Sequence, residues 1–171
     1  MTPIDLRSDT VTLPTEHMQD AMAHAALGDD SRDGDPTVRR LEELAAERTG
    51  KEAGLFLPSG TMCNAISFRI HIDKAGDEVI LHEAAHPIVA EAGGPAALSG
   101  AMIKPLVAEG GIFSAEQVQQ VIRPIDRYMP RSRLLSVEQT TNMGGGRVWP
   151  QEALRAVVDV AKDHDMRTHM D

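Results

Sequence analysis

The stretch LFLPSGTMCNAISFRIHIDKAGDEVIL, residues 55–81, decides the fold because it alternates between strand and helix patterns. Residues 55–57 form a short apolar run that predicts a strand, and the small residues at 58–61 predict a turn. Apolar residues at helical spacing continue to Ile70, and residues 77–81 predict the next buried strand. This order and spacing predict a right-handed crossover and therefore a parallel pair of strands.

The same alternation continues to the end of the chain. Short apolar runs predict strands, and longer segments with helical spacing lie between them. The further predicted strands are residues 101–103, 134–137 and 168–170, and the further predicted helices follow Pro87 and cover residues 114–122 and 150–164. We therefore predict an α/β fold with a mostly parallel sheet and helices on both faces.

Two helices are predicted before this alternating region. Thr15 can cap the first helix, which we expect to end near Gly28. Asp35 followed by Pro36 is a favourable N-cap and first helical residue, and Gly50 is expected to stop the second helix.

Composition limits the classes of partner. The chain carries 17 basic and 26 acidic residues, for a net charge of −9, and its basic residues are scattered. Such a balance argues against nucleic acid as a partner. A run of eighteen apolar residues is absent, which argues against a membrane partner. The single cysteine, Cys63, cannot form an internal disulfide, so we expect a cytoplasmic protein.

Three loops are expected at the carboxyl ends of the strands, where parallel sheets bind ligands. Ser59-Gly60-Thr61 opens a helix, whose free N–H groups favour a phosphate, although a plain turn of small residues explains the same pattern. His86 follows the strand at 77–81 and is either a structural or a functional histidine. Asp171 ends the last strand, where its carboxylate fits either a pyridinium N–H or an ordinary cap.

A second motif, His82-Glu83-Ala84-Ala85-His86, matches the HExxH pattern of zinc hydrolases. That pattern needs both histidines on one helix, whereas this segment directly follows a predicted strand. Pro87 argues against continuing such a helix beyond His86. A third ligand is not evident, since Glu91 is merely close in sequence and Glu109 lies in a Gly-rich loop. We therefore predict no metal site, with a zinc hydrolase as an alternative.

Seven segments, taken together and in order, resemble the low-specificity L-threonine aldolases, which are fold-type I enzymes that use pyridoxal 5′-phosphate (PLP). The match covers essentially the whole chain. The segments are LRSDTVTLPT (6–15), GDD (28–30) with DPTVRRLE (35–42), LFLPSGTMCN (55–64), GDEVIL (76–81), HPIVAEAGGPAALSG (86–100), SVEQTTNMGGGRVWP (136–150) and HMD (169–171).

The resemblance implies a lyase that cleaves β-hydroxy-α-amino acids, such as threonine, into glycine and an aldehyde. It implies that Ser59, Gly60 and Thr61 hold the PLP phosphate and that Asp171 binds the pyridine nitrogen. His86 would stack on the ring and is our candidate base. Family members assemble as homodimers or homotetramers, which the resemblance implies here too.

Other implied roles concern the substrate. Ser8 would lie near the substrate carboxylate. Tyr128 and Thr141 stand where many relatives have histidines, and Tyr128 would contact the substrate hydroxyl. Arg32 stands where the family often has tyrosine. These departures keep a related PLP lyase or a transaminase as an alternative.

The resemblance also sets expectations for the end of the chain. The family's next segment, its Schiff-base lysine and its small C-terminal domain would all follow Asp171. None of Lys51, Lys74, Lys104 and Lys162 stands at a matching position. We therefore expect residues 1–171 to hold the N-terminal segment and most of the PLP-binding large domain in truncated form, and to be inactive alone. A non-catalytic fragment is the corresponding alternative.

Overall fold

The computed structural model describes residues 4–171, and the chain divides into two compact units at residues 1–56 and 57–171. Among the described residues, no helix is both long and apolar enough to cross a membrane.

The first unit contains two helices, and both begin at the predicted N-caps. Helix α1, Glu16–Ala23, begins where the Thr15 hydroxyl accepts from the N–H of Met18, and it ends earlier than Gly28. Helix α2, Pro36–Thr49, begins where the Asp35 carboxylate accepts from two backbone N–H groups. Gly50 ends α2 in the left-handed region at φ 63°, which glycine adopts without strain.

The second unit is built on a parallel sheet. Within the described residues the sheet has four strands, in the spatial order β2-β1-β3-β4. Every neighbouring pair is parallel, as predicted. The strands are β1 (Glu78–His82), β2 (Met102–Leu106), β3 (Ser132–Val137) and β4 (Arg167–Met170).

Helices cover both faces of this sheet, again as predicted. They are α3 (Gly60–His71), α4 (His86–Val89), α5 (Gly94–Ser99), α6 (Ala115–Val121) and α7 (Gln151–Asp163). Successive strand residues point to opposite faces, so each central strand contributes to two cores. One core joins Ile80 to Val157 of α7, and the other joins Val79 to Phe68 of α3.

The strand predicted at residues 55–57 is wrong. This segment belongs to no strand, and Leu55 and Phe56 are 71% and 51% exposed. Strand structure requires a hydrogen-bonded neighbour, which a three-residue apolar run cannot specify. Ser59-Gly60-Thr61 therefore opens helix α3 without a paired strand in front of it.

Candidate active site

His86 lies at the carboxyl edge of the sheet, where the chain leaves β1 and begins α4. Its backbone N–H donates to Glu138 Oε1 over 3.0 Å. Glu138 directly follows β3, and its Oε2 accepts from the N–H of Asn142 over 2.7 Å. The start of α4 is thereby fixed to the end of the neighbouring strand.

The ring of His86 contacts a buried carboxylate. Its Nδ1 lies 2.8 Å from Oε1 of Glu91. The side chain of Glu91 is only 1% exposed, whereas that of His86 is 35% exposed. Because a carboxylate oxygen accepts, Nδ1 carries a proton, and in the neutral form of the ring Nε2 has the lone pair.

Two further side chains extend this contact. Asn64 of α3 donates from Nδ2 to the same Oε1 of Glu91 over 2.8 Å. Its Oδ1 accepts from Nε2 of His169 in β4, also over 2.8 Å. The ring of His169 packs edge-on against Phe68 with centroids 5.7 Å apart. Burial lowers the pKa of His169, so this imidazole is neutral near pH 7.

Asp171 lies at the same edge, after β4. Its backbone N–H donates to the carbonyl of Val137, and its carbonyl accepts from the N–H of Gln139. One side-chain atom each from His86, Glu91 and Asp171 lies within 4.8 Å of the others. The fold therefore brings together two predicted site residues, His86 and Asp171. Oε1 of Glu91 already accepts two hydrogen bonds, from His86 and Asn64.

The HExxH segment does not have the geometry of a zinc hydrolase. His82 ends β1 and His86 begins α4, so the two histidines do not share a helix. Nδ1 of His82 accepts from the N–H of Ala84 over 3.1 Å, and its Nε2 contacts the carbonyl of Ala108 over 2.9 Å. Both ring nitrogens of His82 are thus engaged by backbone groups.

Ser59, Gly60 and Thr61 form the first turn of α3. The Ser59 hydroxyl accepts from the N–H of Met62 over 3.2 Å and so caps the helix. The first N–H groups of a helix have no acceptor within it, and those of Gly60 and Thr61 are free to bind an anion. A Cβ built on Gly60 would meet no atom within 4 Å, so a ligand can approach closely there.

Ser8 and Tyr128 are the remaining predicted site residues. Ser8 belongs to the first unit, where its hydroxyl accepts from the N–H of Thr10 over 3.2 Å. Tyr128 is 79% exposed in the connection that enters β3, at the edge where the strands begin. The second unit therefore does not bring Tyr128 to His86, and the substrate roles of Ser8 and Tyr128 stay predictions.

Thr141, which stands in place of a family histidine, is buried. Its Oγ1 accepts from the N–H of Arg147 over 3.1 Å, and the residue is 1% exposed. This hydroxyl thus supports the loop after β3.

Sequence reasoning missed Asn64, Glu138 and His169, and considered Glu91 only as a zinc ligand. The one local signal was the spacing of His169 and Asp171, which puts them on the same side of an extended chain.

Comparison with known proteins identifies the family to which these residues belong. The family model described as beta-eliminating lyase matches residues 5–171. The chain belongs to the beta-eliminating lyase family. Low-specificity L-threonine aldolase 1 of Arabidopsis thaliana is 42% identical to this chain, in an alignment that covers 100% of this chain and 49% of that protein. The low specificity L-threonine aldolase of Escherichia coli (strain K12) is 41% identical, with 98% and 50% covered.

The chain spans about half the length of the curated relatives it matches. The predicted resemblance to threonine aldolases is confirmed, and these family members depend on PLP. Among solved structures, the alanine aminotransferase from Pyrococcus furiosus has a TM-score of 0.63 at 18% identity, covering 94% of this chain and 41% of that one. That likeness confirms the predicted fold class.

Proposed function

We propose that this chain forms the cofactor-binding part of a PLP-dependent aldolase. The enzyme would cleave β-hydroxy-α-amino acids of the threonine or allo-threonine type into glycine and an aldehyde. The observation that carries the proposal is the meeting of His86 and Asp171 at the carboxyl edge of the sheet, with side-chain atoms within 4.8 Å.

The residues present fit the cofactor's chemical groups. The uncapped N–H groups at Gly60 and Thr61, with the Ser59 and Thr61 hydroxyls, suit a phosphate. The carboxylate of Asp171 makes no side-chain hydrogen bond among residues 4–171, so it is available to a pyridinium N–H. The partly exposed ring of His86 suits stacking on a flat ring. When bound there, PLP would supply an electron sink.

His86 is the candidate base. With its proton on Nδ1, the ring offers the Nε2 lone pair to the β-hydroxyl of the substrate. Removal of the hydroxyl proton accompanies cleavage of the Cα–Cβ bond and release of the aldehyde. A proton delivered to Cα completes glycine.

Further features of the proposal rest on the resemblance to the family. Ser8 would bind the substrate carboxylate, and the enzyme would be a cytoplasmic homodimer or homotetramer. Tyr128, which is exposed at the opposite edge, would then contact the substrate hydroxyl in the site of a second subunit. The Schiff-base lysine would lie outside residues 1–171, which would contribute the N-terminal segment and most of the large domain and be inactive alone.

A binding titration tests the proposal. Purified protein is titrated with PLP and, as a matched ligand, with pyridoxal, which lacks the phosphate; the visible absorbance of bound cofactor is the readout. We expect PLP to bind more tightly than pyridoxal. Asp171→Asn should weaken PLP binding roughly 10- to 100-fold, the value of a charge-assisted hydrogen bond.

Asp163→Asn is the control, since Asp163 is exposed at the end of α7. Two results would contradict the proposal. One is absence of PLP binding, and the other is equal PLP affinity in the Asp171 and Asp163 variants.

A further inference from the structure

We propose that Glu91 is the positioning residue of His86. It would fix the imidazole with its proton on Nδ1, and it would supply a negative charge that stabilises the ring when Nε2 takes up a proton. The role of Glu91 in turnover rests on the proposed function. Its effect on the tautomer of His86 concerns this chain alone.

The carboxylate of Glu91 can only accept hydrogen bonds, and this fixes which atoms donate in the neighbouring contacts. Oε1 of Glu91 lies 2.8 Å from both His86 Nδ1 and Asn64 Nδ2, so both nitrogens must donate. The amide of Asn64 then turns its oxygen toward His169, whose Nε2 must carry a proton. The carboxylate thus sets the orientation of all three neighbours.

Burial makes this arrangement hard to replace. Glu91 is 6% exposed as a residue and Asn64 is 3% exposed, so water can hardly replace the hydrogen bonds between them. A buried carboxylate is costly unless it is hydrogen-bonded or paired, and these two contacts provide that compensation. A charge held in a low-dielectric surrounding also acts strongly on the adjacent ring.

The chain of contacts also links three parts of the candidate site. Asn64 lies four residues after Gly60 on α3, about 6 Å along the axis. His169 lies two residues before Asp171 in β4. Glu91 therefore connects the ring of His86 to the phosphate-binding turn on one side and to the pyridine-binding strand on the other.

The first test is the tautomer of His86 in the cofactor-free protein, read from the ¹⁵N shifts of its ring nitrogens by NMR. We expect the proton on Nδ1 in the neutral ring. A neutral ring with its proton on Nε2 would overturn the proposal without any variant being made.

Two variants separate orientation from charge. Glu91→Gln keeps an oxygen that can accept from His86 but removes the charge, whereas Glu91→Leu removes both. We expect Glu91→Gln to retain the Nδ1–H tautomer and Glu91→Leu to lose it. Glu109→Gln is the control, because Glu109 forms only an exposed ion pair with Arg147.

In the complete enzyme, we expect kcat to fall about 10-fold or more in Glu91→Gln and about 100-fold in Glu91→Leu, with a smaller change in KM. Unchanged kcat in Glu91→Gln would overturn the role of the charge. Because the tautomer is measured without PLP, failure of the Glu91 proposal is distinguishable from failure of PLP binding.

Discussion

Asn64 and His169 lie 105 residues apart in the sequence, yet Nε2 of His169 donates to Oδ1 of Asn64 over 2.8 Å. This hydrogen bond joins α3 to β4, and the same asparagine holds the carboxylate that contacts His86. Asn64, His169 and Glu91 therefore form one connected set of contacts that ends at the candidate base, His86.

Replacing Asn64 with alanine should destabilise the protein. The variant removes partners of both Glu91 and His169 from a buried site, and an unsatisfied buried polar group costs about 1–3 kcal/mol. We expect the free energy of unfolding, measured in urea, to fall by at least about 2 kcal/mol.

Asn142→Ala is the matched control for this loss. Asn142 is exposed, and its hydrogen bond to Glu138 uses the backbone N–H. Equal stability losses in the two variants would contradict a structural role for the Asn64 amide.

Stability should fall on mild acidification because of His169. Burial lowers the pKa of His169 below its ordinary value of 6.5; nearby His71 lowers it further, whereas Asp171 and Glu91 raise it. The unfolded chain therefore binds a proton more readily than the folded one in this range. The contribution of His169 to the free energy of unfolding is complete above pH 6.5, and it is lost as the pH falls toward the lower pKa of the folded state.

His169→Asn should flatten this pH dependence between neutral and mildly acidic conditions, as measured by urea denaturation across pH. Part of the slope should remain, because burial also lowers the pKa of His71. Replacing exposed His17 with asparagine serves as the comparison. A slope that His169→Asn leaves unaltered would count against the buried neutral imidazole.

The ion pair between Glu78 and Arg123 should matter far more than surface pairs. Nε of Arg123 donates to Glu78 Oε2 over 2.9 Å, and the Glu78 side chain is fully buried. Arg123→Met leaves that carboxylate with the hydroxyl of Ser132 alone. We expect a loss of about 3–5 kcal/mol in unfolding free energy.

Arg147→Met provides the surface comparison for this pair. It removes an ion pair with Glu109, whose side chain is 88% exposed. The expected cost is at most about 1 kcal/mol. Similar costs for the two arginines in chemical denaturation would show that burial of Glu78 is not decisive.

Local patterns predicted much of the fold. The caps at Asp35 and Gly50 and the strands around Val79 and Leu135 were evident because capping and periodicity depend on neighbouring residues. The segment at 55–57 was mistaken for a strand because pairing depends on a distant partner.

The same distinction holds at the candidate site. The placement of His86 and Asp171 at one edge of the sheet was predictable, because Asp171 directly follows β4 and His86 follows β1 after three residues. The contacts of Asn64 with Glu91 and His169 span 27 and 105 residues, and no local pattern encodes them.

The most direct test of the central claim is PLP-dependent formation of glycine by the protein that carries this chain. The substrates are L-threonine and L-allo-threonine, and the Asp163→Asn and Asp171→Asn variants are run beside the unmodified protein. The account predicts that the unmodified protein and Asp163→Asn each release glycine and aldehyde in a one-to-one ratio. Asp171→Asn should form both products at a much lower rate. Bound PLP without glycine formation from either substrate would contradict it.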